Sequence, residues 1–164
     1  MERILPILIL AMLSSQPTVA ARRQVRDTRD ARATLRGVKE FAVVVDLNPE
    51  LEKTGLDKDQ LQTDVELRLR KAGIRVVSSG KAFLAINVNE FSGPDQTGLY
   101  VFSVKAEFIQ PVNLVRNPDF SIFAGTWSLS LDSLAGIARV EGGVRSHAAD
   151  LVDRFTNAYL AENR

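Results

Sequence analysis

Three groups of side chains in this 164-residue sequence have types that could act on a small molecule: one histidine, three carboxylates and a glycine pair between arginines. The histidine is His147, and there is no cysteine. An imidazole can serve as a general base, but it needs a nucleophile or a water to activate. No thiol is present, and no serine sits in a Gly-x-Ser-x-Gly elbow. With one histidine and no thiolate, multi-histidine and cysteine metal sites are closed, so no metal and no cofactor are expected. By helical spacing His147 falls at the edge of an apolar stripe, where a half-buried surface residue belongs.

The carboxylates are Asp46, Glu90 and Asp132. Two such groups perform acid–base work when their surroundings drive their pKa values apart. Nothing in the sequence gathers these three, and strand termination accounts for Asp46 and Asp132. The glycine pair is Gly142-Gly143, flanked by Arg139 and Arg145, at the expected start of the last helix. Exposed amides at a helix N-terminus bind anions, so a small anion or polar ligand is expected here if anywhere. Gly73 with Gly80-Lys81 does not make a phosphate loop. The spacing is too long, Ala82 stands where Ser or Thr should hold magnesium, and a strand follows.

The elements that position these groups centre on Phe83 to Asp132, read as three consecutive antiparallel strands. They are Phe83–Phe91, Leu99–Gln110 and Thr126–Asp132, each alternating apolar with polar residues. Ser92 to Gly98 is rich in turn formers. Placing Phe91 opposite Leu99 pairs Val88 with Phe102, Ile86 with Val104 and Leu84 with Ala106, all apolar and on one face. Asn87 with Ser103 and Ala85 with Lys105 fall on the other. Pro111 closes the second strand, and Asn117-Pro118-Asp119 lies in a longer loop. The outer face carries Asn87, Asn89, Ser103, Lys105, Thr126, Ser128 and Ser130. Leu99, Val101 and Ile109 add apolar surface to it that a partner would cover.

Phe41–Val45 reads as a buried strand ended by Asn48-Pro49. Asp57, with Gln60 three residues on, caps a helix that runs to Ala72 and stops at Gly73. Leu61, Val65, Leu69 and Ala72 form its buried face. Ile74–Val77 is a short strand. Ala135–Gly142 is a turn region, and the last helix runs from about Val144 to Leu160. Its stripe is Val144, Ala148, Leu151, Val152, Phe155 and Tyr159. The fold class is α+β: a small mixed sheet with a three-strand antiparallel meander and two helices packed on one face. In outline, the order of elements from Val38 to Asp132 is similar to small envelope modules such as the N-terminal domain of TolB-type proteins. No motif accompanies the likeness, so it implies no residue role.

Residues 1–21 read as a secretory signal peptide. Arg3 supplies the positive start, Ile4–Leu13 the apolar run, and Thr18-Val19-Ala20 the small residues for cleavage near Ala20-Ala21. Residues 22–36 read as an Arg-rich linker, and 37–164 as a single α+β domain. Lysine and arginine number 21 against 20 acidic residues, a balance that argues against nucleic acid as partner. No transmembrane span is expected in the mature chain. These features point to an exported, periplasmic or secreted, non-catalytic protein acting through contacts with another envelope protein or with itself. A small-ligand binder at Gly142–Arg145 is the second reading, and a hydrolase built on the carboxylates the third.

Overall fold

A computed structural model of the protein describes residues 25–92 and 98–164, with side chains from 27 to 90 and from 98 on. The leader expected over 1–21 lies outside the described residues, as do 93–97 of the first hairpin turn. Val25–Arg26 (β1) and Arg29–Ala33 (α1) lead into Ala42–Leu47 (β2). Pro49–Glu52 (α2) and Lys58–Lys71 (α3) follow. Phe83–Ser92 (β3), Leu99–Leu114 (β4), Asn117–Gly136 (β5) and Ile137–Glu162 (α4) complete the chain. The sheet order is β1-β5-β4-β3-β2. Among the described strands, β2 and β3 pair in parallel and the other neighbours antiparallel. A parallel neighbour requires a crossover, here made by α2 and α3. The fold is thus the expected α+β layer, a mixed sheet with α3 and α4 on one face.

Local signals explain α3 well. The Asp57 carboxylate accepts from the Asp59 and Gln60 amides at 2.8 and 3.0 Å. This satisfies two donors that the first turn leaves without intrahelical partners. Gly73 beyond the last turn takes φ +83°, which a side chain resists. Leu61, Val65 and Leu69 are buried, as their spacing requires. The whole expected stripe of α4 is buried too.

The core lies between helices and sheet. Phe155 of α4 sits amid the rings of Phe41, Phe108, Trp127 and Tyr159, with centroids 5.2–6.1 Å away. Most of these contacts are edge-on or tilted, the arrangement that ring quadrupoles favour. The stretch expected as a linker takes part from Val25 on. Val25 and Arg26 pair with Leu129 and Ser128, and Leu35 is fully buried.

Four expectations are corrected. The β3–β4 register is shifted by two: Val88 faces Val104, Ile86 faces Ala106 and Leu84 faces Phe108. A shift of two keeps every side chain on its face. Alternation therefore cannot detect it. Ile74–Val77 forms only one bridge, Val76 with Phe41. The turn expected over 135–142 is absent, because β5 runs to Gly136 and α4 starts at Ile137. Finally, β4 passes through Pro111 to Leu114, and β5 begins at Asn117. Beyond Phe83, which pairs with Ile109, β4 has no β3 neighbour. A proline without an N–H therefore costs no ladder bond on that edge.

Candidate functional site

The extension of β4 and β5 is the feature that the core does not explain. From Gln110 to Asn117 and on to Ala124, the two strands pair only with each other among the described residues. They are joined by a two-residue turn at Val115-Arg116. A bulge between the Phe108–Trp127 and Ile109–Gly125 pairs marks where the hairpin leaves the sheet. At its root the Gln110 side-chain amide donates to the Thr34 carbonyl at 2.9 Å and to the Thr126 hydroxyl at 3.0 Å. α1 and the segment after it thus brace the base.

Past that point the hairpin shows apolar side chains to water. Val115 is 99% exposed, Phe123 62%, Phe120 51% and Ile122 40%. Phe123 rests a ring on Phe83, centroids 6.2 Å apart, and this places it on the helix-free face. Ile122 and Ala124, paired with Val112 and Gln110, fall on the other face, and a second irregularity leaves Pro118–Phe120 outside the ladder. Arg116 and Asp119 are the charged residues of the tip, and among the described residues no ion pair holds either of them. Apolar groups on both faces of a two-stranded ribbon suit a surface that is covered in use.

The residues singled out from sequence fall elsewhere. Gly142 and Gly143 lie inside α4, not at its start. Arg145 pairs with Asp64 and, at 3.1 Å, with Glu141. A Cβ on Gly143 would stand 3.0 Å from Phe102 Cζ, so this glycine admits a ring. Arg139 is exposed near the helix start. Leu99 and Val101 pair with Gly136 and Leu134 at one end of the sheet, whereas Ile109 stands at the other, beside Phe83. The three do not form one patch.

The carboxylates are not brought together. Asp46 is on edge strand β2, paired with Asn87, and Asp132 is on β5, paired with Ser103. Three strand spacings separate those strands, roughly 14 Å at about 4.8 Å each. Glu90 pairs with Phe102 on the core face, its Oε2 buried with no hydrogen-bond partner among the described residues. His147 lies 5.9 Å from the Phe102 ring, half-buried, and its Nε2 has no hydrogen-bond partner among the described residues. No group of three or more His, Cys, Asp or Glu among the described residues could hold a metal. No helix among them is long and apolar enough to cross a membrane.

A groove of about 370 Å³ runs between α3 and α4, floored by Leu61, Val65 and Val152. The Arg145–Asp64 and Arg68–Asp153 pairs tie the two helices together beside it. Its arginines are thus already matched by carboxylates, and the groove reads as a helix seam. Of the outer polar row, Asn87, Lys105 and Ser130 lie side by side. Lys105 reaches Glu107 at 2.8 Å.

No protein-family model matches the chain. No curated protein matches it either. Among solved structures, the PelC dodecamer from Paraburkholderia phytofirmans is similar at 19% identity and TM-score 0.40, over 85% of this chain and 95% of that one. Rare lipoprotein B from Shewanella oneidensis is similar at 12% identity and TM-score 0.36, over 73% of this chain and 94% of that one. A minor lipoprotein from Acinetobacter baumannii is similar at 12% identity and TM-score 0.35, over 75% of this chain and 93% of that one. Each likeness is one of outline, below the level at which function transfers.

Sequence reasoning missed the hairpin, and the signals that hid it are specific. Pro111 and Asn117-Pro118-Asp119 both read as breakers. The turn itself contains no glycine and so lacks the usual hairpin mark. Alternation in Phe120-Ser121-Ile122 was the one available clue.

Proposed function

We propose that this chain is an exported, non-catalytic module of the cell envelope that works by docking its β4–β5 hairpin onto protein. One observation carries the reading: a braced ribbon projects past the core and holds Val115, Phe120, Ile122 and Phe123 in water. Burying such groups is favourable at about 25 cal/mol per Å². The ribbon also offers unpaired strand edges, which a protein strand can satisfy and lipid cannot. The export-type leader supports the location. The scattered carboxylates favour binding over hydrolysis.

The test is expression of the full chain in a bacterium, followed by cell fractionation, N-terminal sequencing of the product and comparison with a Phe120→Ser/Phe123→Asp double variant. A periplasmic product starting at Ala21 or Arg22, found in larger particles that the double variant does not enter, is the expected result. An uncleaved cytoplasmic product, or particles of the same size for both proteins, contradicts the proposal.

A further inference from the structure

We infer that the hairpin's partner is a second copy of this chain, joined head to tail, with the tip of one copy seated on the opposite end of the next. The inference rests on the hairpin reading above and goes further by naming the occupant and the surface it offers. Nine large apolar side chains are exposed among the described residues. Four are Val115, Phe120, Ile122 and Phe123 of the hairpin, and two, Val44 and Leu67, lie on β2 and α3. The other three, Leu99, Leu134 and Ile137, gather at the end of the sheet away from the hairpin. Leu99 pairs with Gly136 and Val101 with Leu134, so Leu99 and Leu134 are diagonal neighbours on the helix-free face. Ile137 opens α4 and lines a shallow hollow of about 360 Å³ with Gly98, Gly136, Ala138 and Arg139. One end of the molecule thus carries an apolar projection, and the other an apolar seat.

Charge is divided along the same axis. β2 and β3 begin at the hairpin end, and α3 finishes there, just before the Val76–Phe41 bridge. Outside the ion pairs, that end carries Lys39, Lys71, Lys81 and Arg116 against Asp119. The seat end carries Asp46, Glu52, Asp57, Asp59 and Asp132 against Lys58 and Arg139. Helix ends account for Asp57, Asp59 and Lys71, since anions suit a helix N-terminus and cations its C-terminus. They do not account for Asp46, Asp132, Lys39, Lys81 or Arg116, which lie on strands, loops and the hairpin turn. Opposite charge on the two ends steers copies into line and opposes tip-to-tip encounters.

The hairpin has the reach for this. Gln110–Leu114 of β4 runs five residues past the last β3 partner, roughly 17 Å at about 3.4 Å each. The tip brings Arg116 down beside Asp132, two residues before Leu134, and Glu141, one turn on from Ile137. α3 packs on β2 at the far edge of the sheet, so its first turn stands to one side of the seat. A phenylalanine carries roughly 150–250 Å², so the exposed parts of Phe120 and Phe123 offer on the order of 200 Å². An interface built on that area is small and should dissolve on dilution. Tip and seat are different surfaces, so each joined copy keeps one of them free, and growth continues until a ring closes or a filament forms.

Two variants that each lose one surface provide the test. Phe120→Ser/Phe123→Asp removes the tip and Leu134→Asp/Ile137→Asp the seat, all four positions being more than half exposed. Emission from buried Trp127 checks that both fold. Sedimentation of the purified full chain should show a concentration-dependent series reaching beyond the dimer, and added salt should slow its formation. Each variant alone should stay monomeric. An equimolar mixture should give one-to-one dimers, because the intact seat of the first accepts the intact tip of the second. An unaltered chain that is monomeric at every concentration, a seat variant that still self-associates, or a mixture that stays monomeric overturns the inference. If the purified chain is monomeric yet the tip variant alone is lost from larger particles in cells, self-assembly has failed and the hairpin reading stands. If the tip variant keeps those particles as well, the hairpin reading fails with it.

Discussion

Phe155→Ala separates the core from the hairpin most sharply when set beside Phe123→Ala. Phe155 is fully buried, and four aromatic rings lie 5.2–6.1 Å from its own. Truncation removes its transfer energy and leaves a cavity, a combination that costs about 3–5 kcal/mol for a buried phenylalanine. Each lost ring pair adds about 0.5–1.5 kcal/mol beyond area, though not additively. The expected loss is thus near the top of the range, about 5 kcal/mol. That is a large share of the roughly 5–15 kcal/mol expected for a natural domain. Phe123 is more than half exposed and meets one ring, that of Phe83. Its truncation should cost under about 1 kcal/mol. The assay is urea unfolding of the full chain, followed by the fluorescence of Trp127, the sole tryptophan. The m-value should be unchanged for both variants, as it is when only stability changes. A Phe155→Ala loss below about 2 kcal/mol, or equal losses for the two variants, would refute the placement of the core and the claim that the hairpin is spare to the fold.

Three further expectations follow from single contacts. A Cβ at Gly142 meets open space, whereas one at Gly143 meets Phe102 at 3.0 Å. Gly142→Ala should therefore gain most of the ~1 kcal/mol that alanine offers in a helix, and thermal melts should show Gly143→Ala gaining none of it. Equal gains would contradict the close approach of α4 to β4. The Tyr159 hydroxyl donates to the Val38 carbonyl at 2.5 Å, and burial raises its pKa above the usual 10.0. A raised folded pKa lends stability below the unfolded value that is lost as pH climbs through the folded one. Wild type should therefore lose ground to Tyr159→Phe only above about pH 10 in stability titrations, and a gap independent of alkaline pH would contradict this. The hydrogen bond from Arg68 holds the Asp153 carboxyl below its usual 3.8. A lowered folded pKa lends stability above the unfolded value that disappears as pH falls through the folded one. Because the pair is about half exposed, Asp153→Asn should cost only about 0.2–1 kcal/mol at pH 7. That difference should close below pH 3.8 in acid unfolding curves, and a difference that persists there would argue against the ion pair.

How far the sequence could be read depends on where its signals are local. The Asp57 cap, the Gly73 stop and the stripe of α4 are written within a turn or two of the chain, and the structure repeats them. The faces of β3 and β4 were legible because alternation is strict. Their register was not, since the true pairing of Val88 with Val104 and the expected one with Phe102 both set apolar against apolar. The start of α4 was misplaced because Gly142-Gly143 resembles a boundary. Gly143 instead lets α4 come close to Phe102, an approach that only the folded chain reveals. The hairpin stayed hidden for a related reason. Pro111 breaks a strand only where its missing N–H is needed, and only the topology shows that β3 has already ended there.

The most direct test of the account is photo-cross-linking in the expressing cell, with a photoreactive phenylalanine placed at Phe123 and, as a control, at exposed Lys58 on α3. The account predicts discrete protein adducts from position 123 and none from position 58. No adducts from 123, or the same pattern from both positions, would contradict the claim that this protein works through its hairpin.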